Sequence, residues 1–339
     1  MSATVTPSPS RLLPRLRSRI ASQERGWYLV ALVSALLVFA SVIALVWFVL
    51  HAAWPVLAYN GLKLFSQGST NLDNQLGYAF NGYHGQPYYH LNALDGVAGT
   101  LLISFGALLI GVPFSILIAL FITVLAPARV RGILEPIVRL LAGVPSVIYG
   151  LFGLFLLAPL LERAFLHPST VEAYGEAGLT LSGTSLLCAL LIVAVTISPI
   201  MIAVFVDALD NVPQAWREGS IALGTDEWRA AVRISLPWIR PSLVAGAILG
   251  GGRALGEAIV PAMVAGSVAW IPNIKDGFTS LMEPVHPLAA IIIDNTEGMP
   301  LQPLTRDLFA MGAIILVANL ALSLAARLAL LPGREGRRG

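Results

Sequence analysis

Long stretches without a single charged residue dominate this chain. Five of them lie at residues 27–50, 96–128, 140–161, 177–206 and 308–326. Each is close to or above the roughly 20 residues that cross a bilayer as a helix. A sixth runs from Pro241 to about Trp270 and is interrupted only by Arg253 and Glu257. Because hydrocarbon offers no partner to backbone polar groups, spans of this length must be helical. The sequence therefore predicts an all-α integral membrane protein with six transmembrane helices.

The composition agrees with a membrane protein. Hydrophobic residues make up 56% of the chain and charged residues only 12%, whereas about a quarter of the residues in soluble domains are charged. The single cysteine, Cys188, lies within the fourth stretch and cannot form an internal disulfide. The net charge of +2 reflects the cations around the spans and does not indicate a nucleic-acid partner.

Lysine and arginine predict the orientation, because they collect in the short loops on the cytoplasmic side. Of the 21 Lys and Arg residues, only Lys63, Arg163, Lys275 and Arg306 fall on one side of the predicted spans. Apart from Arg253 inside a span, the others precede the first span, follow the last, or flank the loops on the opposite side. Both termini are therefore predicted to be cytoplasmic.

The spans divide the chain into predicted segments. These are a basic cytoplasmic tail at 1–26, a first transmembrane helix at 27–50, an extracytoplasmic loop at 51–95, a membrane core at 96–332 that contains a cytoplasmic loop at 211–240, and a cytoplasmic tail at 333–339. The loop 51–95 is rich in Asn, Gly and aromatic residues, which predicts a folded cap. It contains His84 and His90, but no metal-binding spacing accompanies them, so no metal site is predicted.

The loop 211–240 has the signals of two short helices. Pro213 suits a first helical turn, Gly224 suits a left-handed stop, and Thr225 can cap a second helix that Pro237 then ends. A short amphipathic helix after a glycine turn is suited to docking to a partner protein. A helical hairpin that packs only on its own subunit is the alternative.

Arg253 has an unfavourable free energy of insertion in the middle of a membrane. It lies about 20 Å along a helix that begins near Arg240, and an arginine at that depth costs about 3 kcal/mol. Glu257 follows four residues later, which predicts the same helical face. The pair predicts either a cation beside an anion path or a self-neutralising pair that only lets the helix insert. Arginine suits phosphate because its planar fork donates two parallel hydrogen bonds and never deprotonates.

The spacing of the loop 211–240 resembles the EAA loop of ATP-binding-cassette importer permeases. The matching positions are Glu218, Gly219, Ser220, Gly224, Ile234, Leu236 and Pro237. Gly219 and Ser220 stand where the family has two alanines. The resemblance implies that this coupling loop (211–240) contacts an ATPase subunit.

Two further segments narrow the resemblance. Gly252-Arg-Ala-Leu-Gly-Glu257 is similar to the GRALGE signature of phosphate-importer permeases, and Gly143-Val-Pro-Ser-Val-Ile-Tyr-Gly150 is similar to another of their segments. The second segment and the long first outer loop favour the C-type permease of the phosphate-specific transport (Pst) family. Ala258 departs from the usual threonine. Sulfate and molybdate permeases have a related RALGE stretch, so another oxyanion is an alternative substrate.

The resemblance implies the type I importer permease fold, in a bacterial inner membrane, with alternating access as the mechanism. It implies four kinds of partner: an A-type permease, ATPase subunits, an extracytoplasmic phosphate-binding protein and membrane lipid. The sequence has no G-x-x-x-x-G-K-[ST] segment, so the chain is predicted not to be an enzyme, with ATP and Mg²⁺ bound by a separate ATPase chain and no cofactor in this one.

Two other classes of protein remain as alternatives. An ion-coupled secondary transporter could use Arg253 and Glu257 as a proton relay, although that leaves the coupling loop unexplained. A membrane-embedded enzyme is less favoured, because no nucleophile and base pattern is present.

Overall fold

A computed structural model describes residues 12–66, 72–81, 89–176, 178–298 and 300–330. Side chains are described in these ranges except at 12–26, 274 and 326–330. The predicted tail at 333–339, the start of the tail at 1–26 and His84 lie outside the described residues. The chain divides into two compact units, 1–52 and 53–339.

Most of the described residues form helices, and a lone bridge between Gly266 and Val285 is the only extended pairing among them. In chain order the helices are α1 Leu12–Asn60, α2 Leu72–Asn81, α3 Leu94–Leu125, α4 Ala128–Leu141, α5 Ser146–Phe165, α6 Pro168–Glu176, α7 Leu186–Asp210, α8 Gln214–Ala222, α9 Glu227–Trp238, α10 Arg240–Gly256, α11 Ile259–Val264, α12 Leu288–Asp294 and α13 Leu304–Leu330. Helices α3, α5 and α9 each contain one π-helical turn. The prediction of an all-α protein is confirmed.

Five helices are long and apolar enough to cross a membrane. They lie at Trp27–Phe65, Leu94–Leu125, Ser146–Phe165, Leu186–Asp210 and Leu304–Ala325. The pair α9 and α10 passes the same test only as one span, bent by 72°. The count therefore reaches the predicted six when this bent pair is taken as a single crossing.

The most deeply buried span is α7. Its side chains Val193, Ile197, Met201 and Phe205 have no more than 4% of their surface exposed. Helices α3 and α10 pack against it. Such burial of an apolar helix on nearly all sides is the pattern expected at the centre of a bundle.

Glycine lets α10 approach α7 closely. A side chain at Gly246 would overlap the ring of Phe205, and a Cβ at Gly250 would lie 2.7 Å from Sδ of Met201. Small residues at helical spacing commonly allow this contact between membrane helices. The backbone of α10 therefore packs directly against side chains of α7. At Gly246 and Gly250 there is no space for a larger residue.

Two predicted spans begin later than the charge-free runs suggested. The run from 140 contains the end of α4 at Leu141, and α5 begins only at Ser146, after Pro145 at its N-cap position (φ −57°, ψ 134°). In the run from 177, residues 178–185 are not helical, and α7 begins after Ser185, whose side chain accepts a hydrogen bond from the backbone N–H of Cys188. A serine cap of this kind defines a helix start inside an otherwise apolar run.

The predicted continuous helix from Pro241 to Trp270 is wrong. Helix α10 ends at Gly256, Glu257 has an extended backbone (φ −73°, ψ 118°), and α11 is a separate short helix. Pro261 explains the break, because its ring has no N–H and collides with the carbonyl four residues earlier, at Glu257. The chain therefore contains a broken helix where the sequence predicted an unbroken one.

Candidate functional site

Arg253 lies in the last turn of α10, immediately before the break. Its side chain is partly buried, and its Nε is shielded from solvent without a hydrogen-bond partner among the described residues. A cation in this turn interacts favourably with the negative end of the helix dipole. A buried N–H group without a partner is costly and marks a place where a ligand or water can bind.

Glu257 does not share a helical face with Arg253, contrary to the sequence prediction. It follows the last residue of α10 and has an extended backbone, so the four-residue spacing no longer brings the two side chains together. No ion pair between them is found in the part of the chain that the structure describes. The Arg253 charge is therefore not neutralised by this carboxylate.

The two signature segments meet in space. The charge of Arg253 acts on the phenol of Tyr149 in α5, whose hydroxyl donates a 3.0 Å hydrogen bond to the carbonyl of Leu141. Helix α5 also packs against α11, since a Cβ at Gly150 would lie only 2.6 Å from Sδ of Met263. Residues 143–150 and 252–257, which were singled out separately in the sequence, thus belong to one site around the broken helix.

The coupling loop has the predicted glycine turn. Gly224 has φ +87° and follows Leu223, the C-cap residue of α8, which is the position of a left-handed stop. The predicted cap is one residue off, because Asp226 rather than Thr225 caps α9: its Oδ1 accepts a 2.7 Å hydrogen bond from the N–H of Arg229. The carboxylate suits that position because it also opposes the positive end of the helix dipole.

The second helix of the loop ends one residue beyond Pro237, close to the predicted end. Helix α9 continues to Trp238, and the chain turns at Ile239 into α10. Pro237 has no N–H to continue the helical hydrogen bonds, and the helix stops one residue beyond it. The coupling loop is therefore joined to the Arg253 helix by one sharp bend.

Helices α8 and α9 enclose an open cleft of about 410 Å³. It is lined by Trp216, Ser220, Leu223, Thr225 and Ile234. Leu223 is 89% exposed, and Trp216 is also exposed. Of the predicted loop residues, Ser220 and Ile234 line the cleft, whereas Glu218, Gly219 and Pro237 lie exposed around it and Leu236 is partly buried.

Comparison with known proteins identifies the family. Residues 111–329 match the family described as "Binding-protein-dependent transport system inner membrane component". The chain belongs to this family. It is 33% identical over 256 residues to the phosphate transport system permease protein PstC of Pasteurella multocida, covering 73% of this chain and 77% of that protein. PstC 1 of Mycobacterium tuberculosis is 32% identical over 292 residues, covering 81% and 83%.

These relatives confirm the resemblance drawn from the motifs, and the chain is a PstC-like permease. Among solved structures, a bacterial ABC transporter involved in the import of alginate matches with a TM-score of 0.49 at 19% identity, covering 95% of this chain and 100% of that one.

Sequence reasoning missed an ion network in the permease. Arg139 of α4 donates 2.9 Å hydrogen bonds to Glu135 and to Asp207 of α7, and Arg131 pairs with Asp210 and Glu135. The four-residue spacings of Glu135 with Arg131 and Arg139 were visible in the sequence as helix pairs. The contacts to α7 were not, because they join residues separated by more than sixty positions.

Sequence reasoning also missed the apolar lining of the loop cleft. Trp216 and Leu223 are not among the family anchors, yet they provide its largest exposed apolar surfaces. Exposed large apolar residues around a concave surface are typical of a protein interface. The permease therefore has two sites worth testing: the broken helix at Arg253 and the cleft of the coupling loop.

Proposed function

We propose that this permease forms part of the transmembrane path of an ATP-driven importer for inorganic phosphate. The observation that carries the proposal is Arg253, whose buried Nε has no partner among the described residues, at the break between α10 and α11. A guanidinium can donate parallel hydrogen bonds to phosphate oxygens and stays charged at any physiological pH. The names of the PstC relatives support the choice of anion.

The same proposal assigns the partners. The family description, a binding-protein-dependent system, supports an extracytoplasmic binding protein as the source of substrate. The cleft between α8 and α9 supports docking of an ATPase subunit, which would hold ATP and Mg²⁺. A second permease of the A type would complete the path, and ATPase closure would act through the coupling loop to alternate access to Arg253.

Phosphate uptake tests the proposal against its alternatives. In cells that lack other phosphate importers, the complete transporter should accumulate radiolabelled phosphate. Excess unlabelled phosphate should block this uptake, whereas sulfate and molybdate should not. A protonophore should leave uptake intact while cellular ATP is maintained. Stronger competition by sulfate or molybdate would favour the other oxyanions, and loss of uptake with the protonophore would favour an ion-coupled transporter.

Labelling of two matched positions tests the proposed orientation. Leu62 and Leu223 are each 89% exposed, and the natural thiol, Cys188, is fully buried. We expect an impermeant maleimide to label Leu62→Cys in intact cells and Leu223→Cys only after permeabilisation. The unchanged chain serves as the control for background from Cys188. The reverse pattern would place the coupling loop outside the cell and remove the basis for ATPase docking.

A further inference from the structure

A buried histidine joins three separate parts of the permease. His286 is only 4% exposed. Its Nδ1 lies 3.3 Å from Oδ1 of Asp73 in α2, and its Nε2 lies 3.0 Å from Oδ2 of Asp294 in α12. We name His286, Asp73 and Asp294 the brace. None of the three belongs to the motifs of the proposed transport path.

The geometry of the brace matches a histidine that donates from both ring nitrogens. An ionised carboxylate can only accept hydrogen bonds, so each ring nitrogen that faces one must carry a proton. Both nitrogens carry protons only in the imidazolium form. Burial tends to raise the pKa of Asp73, but hydrogen bonds from His286 and from the amide of Ala269, together with the histidine charge, lower it overall. Asp73 therefore stays ionised down to a pH below its ordinary value of 3.8.

The brace holds the segment that follows the half-helix α11. The amide of Ala269 donates a 3.1 Å hydrogen bond to Oδ2 of Asp73, and the hydroxyl of Ser267 lies 3.4 Å from Oδ2 of Asp294. Ser267 has φ +50°, a strained conformation for a residue with a side chain. Surrounding contacts must maintain such a conformation, and the brace supplies one of them.

Other charged groups near the brace increase the need for a positive charge on His286 between the carboxylates. Asp95, at the start of α3, repels Asp73 electrostatically. Helix α11 contains no titratable residue. At the start of α13, Arg306 donates to the hydroxyl of Tyr89, and Asp307 is buried with an unpaired Oδ1; neither forms an ion pair with His286 among the described residues. Loss of the imidazolium charge would therefore leave neighbouring carboxylates facing one another.

We propose that His286 is a positioning residue whose protonated ring fixes the far end of α11, the half-helix that begins just after Arg253 and Glu257. Loss of this ring removes both contacts and loosens the segment 265–273, whose other anchor is the carboxylate of Glu283, an acceptor of hydrogen bonds from Nε1 of Trp270 and from the amide of Asn273. The contribution of the Asp73 carboxylate is present above about pH 3.8 and is lost in stronger acid. The inference does not depend on the identity of the transported anion.

Hydrogen exchange in the purified transporter tests the brace. The measured quantity is deuterium uptake by peptides that cover 265–273. We expect this segment to exchange on the order of tenfold faster in His286→Gln than in the unchanged protein, because Gln has no charge and its single NH₂ group cannot span the two carboxylates that the two ring nitrogens reach. His286→Arg keeps a positive charge with several donors and should restore slow exchange.

Two controls keep the test decisive. Asp226→Asn is the matched control: it also replaces an aspartate by asparagine, but in the coupling loop, and should leave hydrogen exchange at 265–273 unchanged. Asp294→Asn should accelerate it and serves as the second variant if His286→Gln does not assemble. Equal exchange in His286→Gln and the unchanged protein, or equally fast exchange in His286→Arg and His286→Gln, would overturn the proposal.

Discussion

Phosphate uptake is expected to be abolished in Arg253→Gln while the complex still assembles. Glutamine keeps hydrogen-bond donors and some of the length but has no charge. Hydrogen bonds to charged groups contribute about 1.5–3 kcal/mol each, so the loss of a bidentate contact predicts a fall of at least about 100-fold in uptake. Uptake of radiolabelled phosphate and copurification of the ATPase with the tagged permease measure the two effects separately.

A double variant separates the anion path from simple charge neutralisation. If Arg253 only neutralised Glu257, then Arg253→Gln combined with Glu257→Gln would restore uptake, since no unpaired charge would remain. We expect the double variant to stay inactive, because the extended backbone at Glu257 already separates the two side chains. Arg253→Lys is the matched control and should retain partial uptake, because it keeps the charge without the planar fork. Restored uptake in the double variant would contradict the hypothesis that Arg253 lines an anion path.

Gly224→Val is expected to leave the permease inserted but to weaken its association with the ATPase and its transport. Gly224 has φ +87°, and a side chain in that region costs about 1–2 kcal/mol, more for a β-branched one. A Cβ there would meet no atom within 4 Å, so the strain comes from the backbone alone. Relief of the strain would shift α8 relative to α9 and change the cleft between them.

Gly178 offers a control with the same backbone strain at another site. It has φ +83°, and a Cβ there would also meet nothing within 4 Å. Gly178→Val should therefore cost similar stability and leave copurification of the ATPase unchanged. Equal loss of the ATPase in both variants would attribute the effect to general instability, and normal transport in Gly224→Val would argue against a docking role for the loop.

The number and type of the spans could be predicted because a bilayer makes unpaired backbone groups prohibitive, and charge-free runs therefore indicate helices directly. The helix ends could not be predicted from the same signal. Apolar side chains do not define where a helix starts, and the start at Leu186 depends on one hydrogen bond that the Ser185 hydroxyl accepts from the amide of Cys188. Pro261 was a sequence signal for the break at Glu257, but the long apolar run around it predicted a continuous helix.

The site around Arg253 was predicted from local motifs, whereas its surroundings were not. Arg253 and the coupling-loop glycine could be recognised because each is unusual within its own stretch of sequence. The contact between His286 and Asp73 joins residues 213 positions apart, and no local pattern encodes such a pair. The predicted pairing of Arg253 with Glu257 was wrong because a four-residue spacing places two residues on the same face only within an unbroken helix.

The close glycine contacts of α10 with Phe205 and Met201 have a mechanical consequence. Well-packed interfaces shift between discrete arrangements and do not deform continuously, so α7 and α10 should move as one rigid body. The backbone changes direction at the two ends of α10, at the 72° bend after Trp238 and at the extended Glu257. A helix of 17 residues is about 25 Å long. With these two points as hinges, α10 would tilt together with α7, and a tilt of about 10° at the coupling loop would displace Arg253, about 20 Å along the helix, by about 3.5 Å, more than the length of a hydrogen bond.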